Sequence, residues 1–303
     1  MYAIETHDLS KSFGTHTAVS SLSLTIDTGE IFGFLGPNGA GKSTTIAILV
    51  DHLRPTTGWV RILGNDPQDH PRTVRRNVGI LTDRTTIDGR LTARQHLQFA
   101  YHTYGERTNA VEMLDRIGLE DAADRRVRGF STGMRQRLRI GLALVGDPPV
   151  LLLDEPLSGL DPGGQRWLRV LLEQERDSGT TIFVSSHRLD HVEALCDRIG
   201  ILSDGRLRAC GPPGELTGAS DRCLQLTVPS WDAAMSELIR ELSGVSGVSA
   251  TIDGSAGISV TVVMDDTAVR ESVIQACPDE ASVVSAPPDL EAVYTAIAGD
   301  SHA

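Results

Sequence analysis

One stretch, Ile31 to Ile46, constrains the fold more than any other: Ile-Phe-Gly-Phe-Leu-Gly-Pro-Asn-Gly-Ala-Gly-Lys-Ser-Thr-Thr-Ile. Its first five residues are uniformly apolar apart from one glycine, the pattern of a strand buried on both faces. Ile46, Leu49, Val50 and Leu53 then recur at one-faced helical spacing. Between them, Gly36-Pro-Asn38-Gly39-Ala40-Gly41-Lys42-Ser43, followed by Thr44, matches the phosphate-binding loop pattern without a gap. The glycines let the backbone turn and bring its amides close to phosphate oxygens. The positive end of the following helix points at the same place. In this arrangement Lys42 reaches the β- and γ-phosphates and the Ser43 hydroxyl holds Mg²⁺. The stretch therefore predicts an α/β core that binds a nucleoside triphosphate.

The rest of the composition narrows the class. A chain of 303 residues accommodates about two domains. No apolar run approaches the ~20 residues of a membrane helix, and the start, Met-Tyr-Ala-Ile-Glu-Thr-His, has no leader-peptide pattern. A cytoplasmic protein, peripheral on the inner face of the membrane, is the expectation. A net charge of −12 argues against a nucleic-acid or ribosome surface as the main partner. Lys11 and Lys42 are the only lysines, so nearly all positive charge is arginine. Cys196, Cys210, Cys223 and Cys277 lack metal-ligand spacing and read as reduced thiols.

Along the chain, Tyr2 to Leu9, Leu22 to Ile26 and Gly58 to Leu63 read as strands of a small antiparallel sheet beside the nucleotide core. Phe13 falls in the loop between the first two and either stacks on a base or packs in the core. From Thr92 to about Gly146 the pattern turns helical, and a helix opened by Ser131-Thr-Gly133 offers a hydroxyl and free amides to a phosphate. Val150 to Asp154 is a second buried strand, ended by Asp154-Glu155-Pro156. Asp154 is placed to hold Mg²⁺ through water, and Glu155 to polarise the attacking water. Thr180 to Ser186 is a third strand, ending at His187, which either reports the γ-phosphate or caps the next helix.

These pieces, in this order, resemble the ATP-binding cassette ATPases over residues 1 to about 215. Phe130-Ser131-Thr-Gly133-Met134 stands where that family carries its Leu-Ser-Gly-Gly-Gln signature, with Thr132 and Met134 as departures. Ser158-Gly-Leu-Asp161 resembles the loop that crosses the dimer seam, and His187 the switch histidine. Phe13 matches the adenine-stacking aromatic. Asp83, in Val78-Gly-Ile-Leu-Thr-Asp83, occupies the place of the glutamine that contacts magnesium, one methylene shorter and an acceptor only. The resemblance implies ATP and Mg²⁺ as ligands, a homodimer closing on two ATPs, and coupling to an integral membrane permease subunit, with no nucleic-acid partner. Its signature is similar to that of the multidrug, antibiotic and sodium-export branch. The alternative it leaves is a soluble cassette ATPase acting on ribosomes or DNA.

The implied cassette occupies residues 1–215, with a helical part at about 84–146. Beyond it, Cys223 to Val228, Val248 to Ile252, Ile258 to Met264 and Ser282 to Ser285 read as strands. Trp231 to Leu242 and Ala268 to Ala276 read as helices, so residues 216–303 follow the β-α-β-β-α-β order of a ferredoxin-like α+β domain. Leu290 to Tyr294 opens a closing helix that resembles the tail of exporter cassettes. A docking groove for the membrane subunit is expected around Asp83 to Tyr104, with Ile87, Leu91, Leu97 and Phe99 as its apolar residues and Arg84 and Arg90 at its rim. The competing reading packs those apolar residues, Leu97 above all, into the helical region's own core.

Overall fold

In the computed structural model the described residues are 1–82, 85–104, 110–216, 223–252, 258–264, 267–278, 281–284 and 289–298. Asp83 and Arg84 lie outside them. The chain opens with β1 (Tyr2–Phe13) and β2 (His16–Asp27), then β3 (Ile31–Leu35) and α1 (Lys42–Leu49) on either side of the glycine-rich loop. Next come β4 (Thr57–Ile62), α2 (Pro71–Asn77) and β5 (Val78–Leu81). A helical region follows, with α3 (Ala93–Tyr104), α4 (Ala110–Arg116) and α5 (Thr132–Ala143). The chain then alternates through β6 (Val150–Asp154), α6 (Pro162–Asp177), β7 (Thr181–Ser186), α7 (Leu189–Glu193), β8 (Arg198–Ser203) and β9 (Arg206–Gly211).

The central sheet has the order β5-β6-β7-β3-β8-β9, parallel except for β9. Every residue of β3, β6 and β7 is buried, as their near-continuous apolar runs require of strands covered on both faces. One face carries the antiparallel sheet β2-β1-β4, whose Ile4, Leu9, Leu22 and Ile26 share a core with Phe32, Phe34, Ile46 and Phe183. The phosphate-loop helix α1 is enclosed in that core. The other face is covered by the helical region and α6.

The first two strands are longer than their apolar residues suggest, and Phe13 is the last residue of β1 rather than a loop residue. The extensions are rich in Ser, Thr and His, and register shifts interrupt the β1–β2 ladder, so alternation fails as a signal there. The short strands β5, β8 and β9 and the helix α2 were not anticipated. On α3 the buried positions are Ala93, Leu97 and Tyr101, one turn apart. Leu97 is fully buried and therefore belongs to the core rather than to a docking groove, whereas Phe99 is 73 % exposed on the opposite side. Ile87 packs on the core and Leu91 is partly exposed.

After a short helix, α8 (Pro213–Leu216), the chain builds β10 (Cys223–Val228), α9 (Ala233–Arg240), β11 (Val245–Ile252), β12 (Ile258–Met264), α10 (Arg270–Ala276) and β13 (Ser282–Val283). Their sheet order is β11-β12-β10-β13 with every neighbouring pair antiparallel, the ferredoxin-like arrangement. Leu224, Leu226, Val260, Val262, Ile239 and Val273 form its own core. The expected helix from Ala268 begins instead with a tight turn at Thr267–Val269. A last helix, α11 (Leu290–Ala298), returns to the cassette, where Leu290, Val293, Ala296 and Ile297 join the cluster that holds Leu195 and Leu216.

One ion pair ties the helical region to the α/β core. Arg116, at the end of α4, donates to Glu175 of α6, whose carboxylate is almost fully buried. Removing the guanidinium strands that charge, a loss of about 3 kcal/mol. Arg116→Ala is therefore expected to lower the midpoint of thermal unfolding by several degrees, and Arg116→Leu combined with Glu175→Leu to recover most of it. An unchanged midpoint for Arg116→Ala would show that the pair contributes nothing.

Candidate functional site

The register of the central strands brings three carboxyl ends together. Leu35 lies beside Ser186 and Asp154 beside Ser185, and the Gly36 amide donates to the Ser186 carbonyl over 3.2 Å. The crevice outside the carboxyl ends of a parallel sheet is where α/β folds bind ligands. The loop there has little freedom. Gly41 adopts φ 106°, and a Cβ on it would lie 2.4 Å from the Ala18 carbonyl oxygen. Gly36 is equally confined, with the Leu202 carbonyl oxygen 2.4 Å from where its Cβ would be. Only glycine passes at these two positions.

Lys42 opens α1 and is 6 % exposed. Its Nζ donates to the carbonyls of Gly36 at 2.6 Å and Pro37 at 3.0 Å, which curls the loop around the ammonium. Burial lowers the pKa of Lys42, and the charges of Glu155 and Asp154 oppose that shift. The Thr45 hydroxyl donates to the Gly41 carbonyl at 3.0 Å and fixes the first turn.

Across the loop, Asp154 is 7 % exposed and accepts a short hydrogen bond from the Ser185 hydroxyl. The same hydroxyl accepts from the backbone amide of Glu155 at 3.0 Å. Glu155 has φ 49°, a left-handed conformation that is strained for a glutamate. That turn aims its carboxylate at His187, with Oε1 2.8 Å from Nδ1. His187 is not a helix cap: Arg188 precedes α7, and its amide is satisfied by the Ser186 hydroxyl. Ser185 was not singled out from the sequence. A serine at the end of a buried strand carries no signal until the register shows which acid it faces.

These groups surround a cavity of about 410 Å³ lined by Phe13, His16, Ala18, Asn38, Gly39, Gly41, Lys42, Ser43, Thr44, Asp154 and Glu155. Phe13 is 48 % exposed, and the Lys11 ammonium lies 5.1 Å from its ring centre. An exposed ring at the mouth of a polyphosphate site suits a base stacked on its face. Ser43 and Asp154 present hard oxygen donors to the same space. Magnesium takes one or two protein oxygens and fills its octahedron with phosphate oxygens and water, so the pair fits that ion. A second cavity, of about 950 Å³, shares Asn38, Gly39 and Ala40 with the loop and reaches past His187 and Asp204 to α11.

Four expected binding residues line neither cavity: Gly36, at the base of the loop, and three on other elements. Ser131 caps α5, accepting from the Met134 amide at 3.2 Å, and its side chain is exposed. Gly133 lies in the first turn of the same helix. Asp161 caps α6, with Oδ1 accepting from the Gly164 amide at 2.8 Å. These two helix starts lie side by side: a Cβ on Gly159 would touch the Thr132 side chain at 2.9 Å. They are strapped to the acidic turn, because buried Gln136 of α5 donates to the Pro156 carbonyl at 2.9 Å. The phosphate loop and the capped starts of α5 and α6 are thus separate parts of the chain's surface.

Comparison with known proteins agrees with this geometry. A family profile described as "ABC transporter" matches residues 19–158. The daunorubicin/doxorubicin resistance ATP-binding protein DrrA of Streptomyces peucetius is 40 % identical over 219 residues, covering 71 % of this chain and 66 % of that protein. The Nod factor export ATP-binding protein I of Rhizobium etli is 32 % identical over 305 residues, covering 99 % of this chain and 94 % of that protein. Among solved structures, an ATP-binding subunit of an ABC transporter superposes with a TM-score of 0.66 at 31 % identity, over 71 % of this chain and 91 % of that one. A cassette in a dimeric post-hydrolysis state with ADP and phosphate gives 0.64 at 26 % identity, over 69 % of this chain and 98 % of that one. The glycine loop, the acidic strand end and these relatives agree, and the chain belongs to the ABC transporter family as an ATP-binding, ATP-hydrolysing subunit.

Proposed function

We propose that two copies of this chain close head to tail on two ATP molecules and pass that closure to a separate membrane subunit, driving export. The observation that carries the reading is the separation just described. The phosphate loop lines one cavity, while Ser131, Gly133 and Asp161, at the capped starts of α5 and α6, lie outside its lining. A second copy, turned by a two-fold axis, supplies those groups to each nucleotide. The functional units in this reading are a cassette at 1–215, with its helical part at about 84–146, and an accessory domain at 216–303.

Each residue then has a defined task. Phe13 stacks on the adenine, and Gly36, Asn38, Gly39, Ala40, Gly41 and Thr44 form the backbone cradle of the phosphates. Lys42 leaves the loop carbonyls for the β- and γ-phosphate oxygens. Ser43 and Asp154 would hold Mg²⁺, which neutralises charge on the leaving phosphate when bound. The attacking water forms a bond to the γ-phosphorus as the bond to the β-bridging oxygen breaks and ADP leaves. Glu155 takes the proton from that water, its orientation fixed by the 2.8 Å contact to His187. Asp83 stands in the chain where a magnesium-contacting glutamine is usual, outside the described residues.

Among the described residues no helix is long and apolar enough to cross a membrane. In this reading the transport step falls to another subunit, and the chain works peripherally on the inner face of the membrane. Phe99, exposed on α3, with Leu91 beside the start of that helix, is the apolar surface suited to receive it. The relatives named for drug resistance and Nod factor export support export as the direction.

Two substitutions test the site. Lys42→Ala removes the main cation from the developing charge and is expected to lower kcat by about 10²–10³. Parental turnover in that variant would place the nucleotide elsewhere. Glu155→Gln keeps the charge-binding groups and loses the base, so it should bind Mg-ATP and accumulate as a dimer that light scattering detects. A monomer under saturating ATP, or hydrolysis at the parental rate, contradicts the assignment.

A further inference from the structure

The turn that carries Glu155 is pinned from three directions. The Glu155 amide donates to the Ser185 hydroxyl at 3.0 Å, which ties the turn to the central sheet. The Glu155 carbonyl accepts from the Ser158 amide at 3.1 Å, which closes the turn on itself. The third hold comes from the helical region. Gln136 is the one polar side chain among the buried residues of α5, at 8 % exposure, and its Nε2 donates to the Pro156 carbonyl at 2.9 Å. Pro156 is itself buried, so water is a poor substitute for that donor. The far end of the same turn also packs on α5: a Cβ on Gly133 would lie 3.8 Å from the Leu160 side chain.

We propose that Gln136 is a positioning residue for ATP hydrolysis: through the Pro156 carbonyl it holds the turn that aims Glu155, and so joins the signature helix to the base of the same chain. The inference rests on the reading of Glu155 as the base. A glutamate at φ 49° persists where its surroundings over-determine the backbone. The Pro156 carbonyl lies one residue beyond that strained position, where losing a single hydrogen bond lets the backbone relax. Relaxation there turns the Glu155 carboxylate away from its 2.8 Å contact with His187. A general base displaced by about 1 Å loses much of its effect. Gln136 lines neither cavity, so it acts on the nucleotide of its own chain through Glu155 and leaves the affinity for that nucleotide unchanged.

Steady-state Mg-ATP hydrolysis by the full chain tests this. Gln136→Met keeps the length of the side chain and removes the donor. Its kcat is expected to fall about tenfold, with KM for ATP within about twofold of the parent. A double-mutant cycle separates a hold on the base from a general role in packing. In the Glu155→Gln background the base is already gone, so adding Gln136→Met should change the residual kcat by less than about twofold. Parental turnover of the Met variant, an equal loss in both backgrounds, or a loss that appears in KM overturns the proposal. Should Gln136→Met fail to fold, Gln136→Asn keeps the amide but stops one methylene short of Pro156. A reduced kcat in it that vanishes in the Glu155→Gln background supports the hold, and a parental kcat refutes it. The Glu155→Gln chain alone separates the two claims. If it hydrolyses at the parental rate, the base is misassigned; if it is inactive while Gln136→Met is parental, only the role of Gln136 is wrong.

Discussion

A polyphosphate brings several negative charges to a chain that already carries a net charge of −12. Tolerating it requires a backbone path on which amides crowd one point without side chains in the way, and the fold is arranged to enforce that path. The loop is pressed from two directions. The Ala18 carbonyl of the antiparallel sheet stands where a Cβ of Gly41 would be, and the Leu202 carbonyl of the central sheet where one of Gly36 would be. The loop geometry is therefore imposed by the packing of two sheets, and α1 with its positive end is buried between them. Lys42, curled onto two carbonyls of its own loop, is the lysine or arginine side chain that lines that cradle among the described residues.

The same register decides the chemistry. Ser185 sits beside Asp154 in the β6–β7 ladder, so one hydroxyl steadies the Asp154 carboxylate and the strained turn at Glu155. That turn is the place where local backbone preference is overridden to aim a functional group. Two residues after Ser185, just beyond the end of β7, the chain delivers His187, whose Nδ1 meets Glu155. Three strand ends thus assemble the hydrolytic half of a site. In the proposed dimer the other half comes from the starts of α5 and α6, which within one chain are tied to the first through Gln136. We read this arrangement as half of a pair.

Much of this was legible in the sequence because the strands concerned are buried on both faces and read as uninterrupted apolar runs. The loop, Asp154, Glu155 and His187 sit at the ends of such runs. Legibility fails where burial is one-sided or pairing is irregular. The polar continuations of β1 and β2 hid Phe13 inside a strand, and the four-residue β5 was too short to register. On α3, apolar content alone did not separate Leu97 from Phe99; the 93, 97, 101 spacing did, by assigning one to the core and the other to solvent. Ser185 stayed invisible for a different reason. Its significance lies in the acid that the tertiary register sets beside it.

The central claim is that each ATP site draws its phosphate loop from one chain and its signature residues from another. Mixing two inactive variants tests it most directly. Lys42→Ala spoils every loop, and Ser131→Arg blocks every signature helix, so each variant alone should be inactive. In random mixed pairs one composite site joins an intact loop to an intact signature, and ATPase activity should return to about a quarter of the parental level. Activity that stays at zero in the mixture, or a Ser131→Arg chain that hydrolyses ATP unaided, would contradict the account.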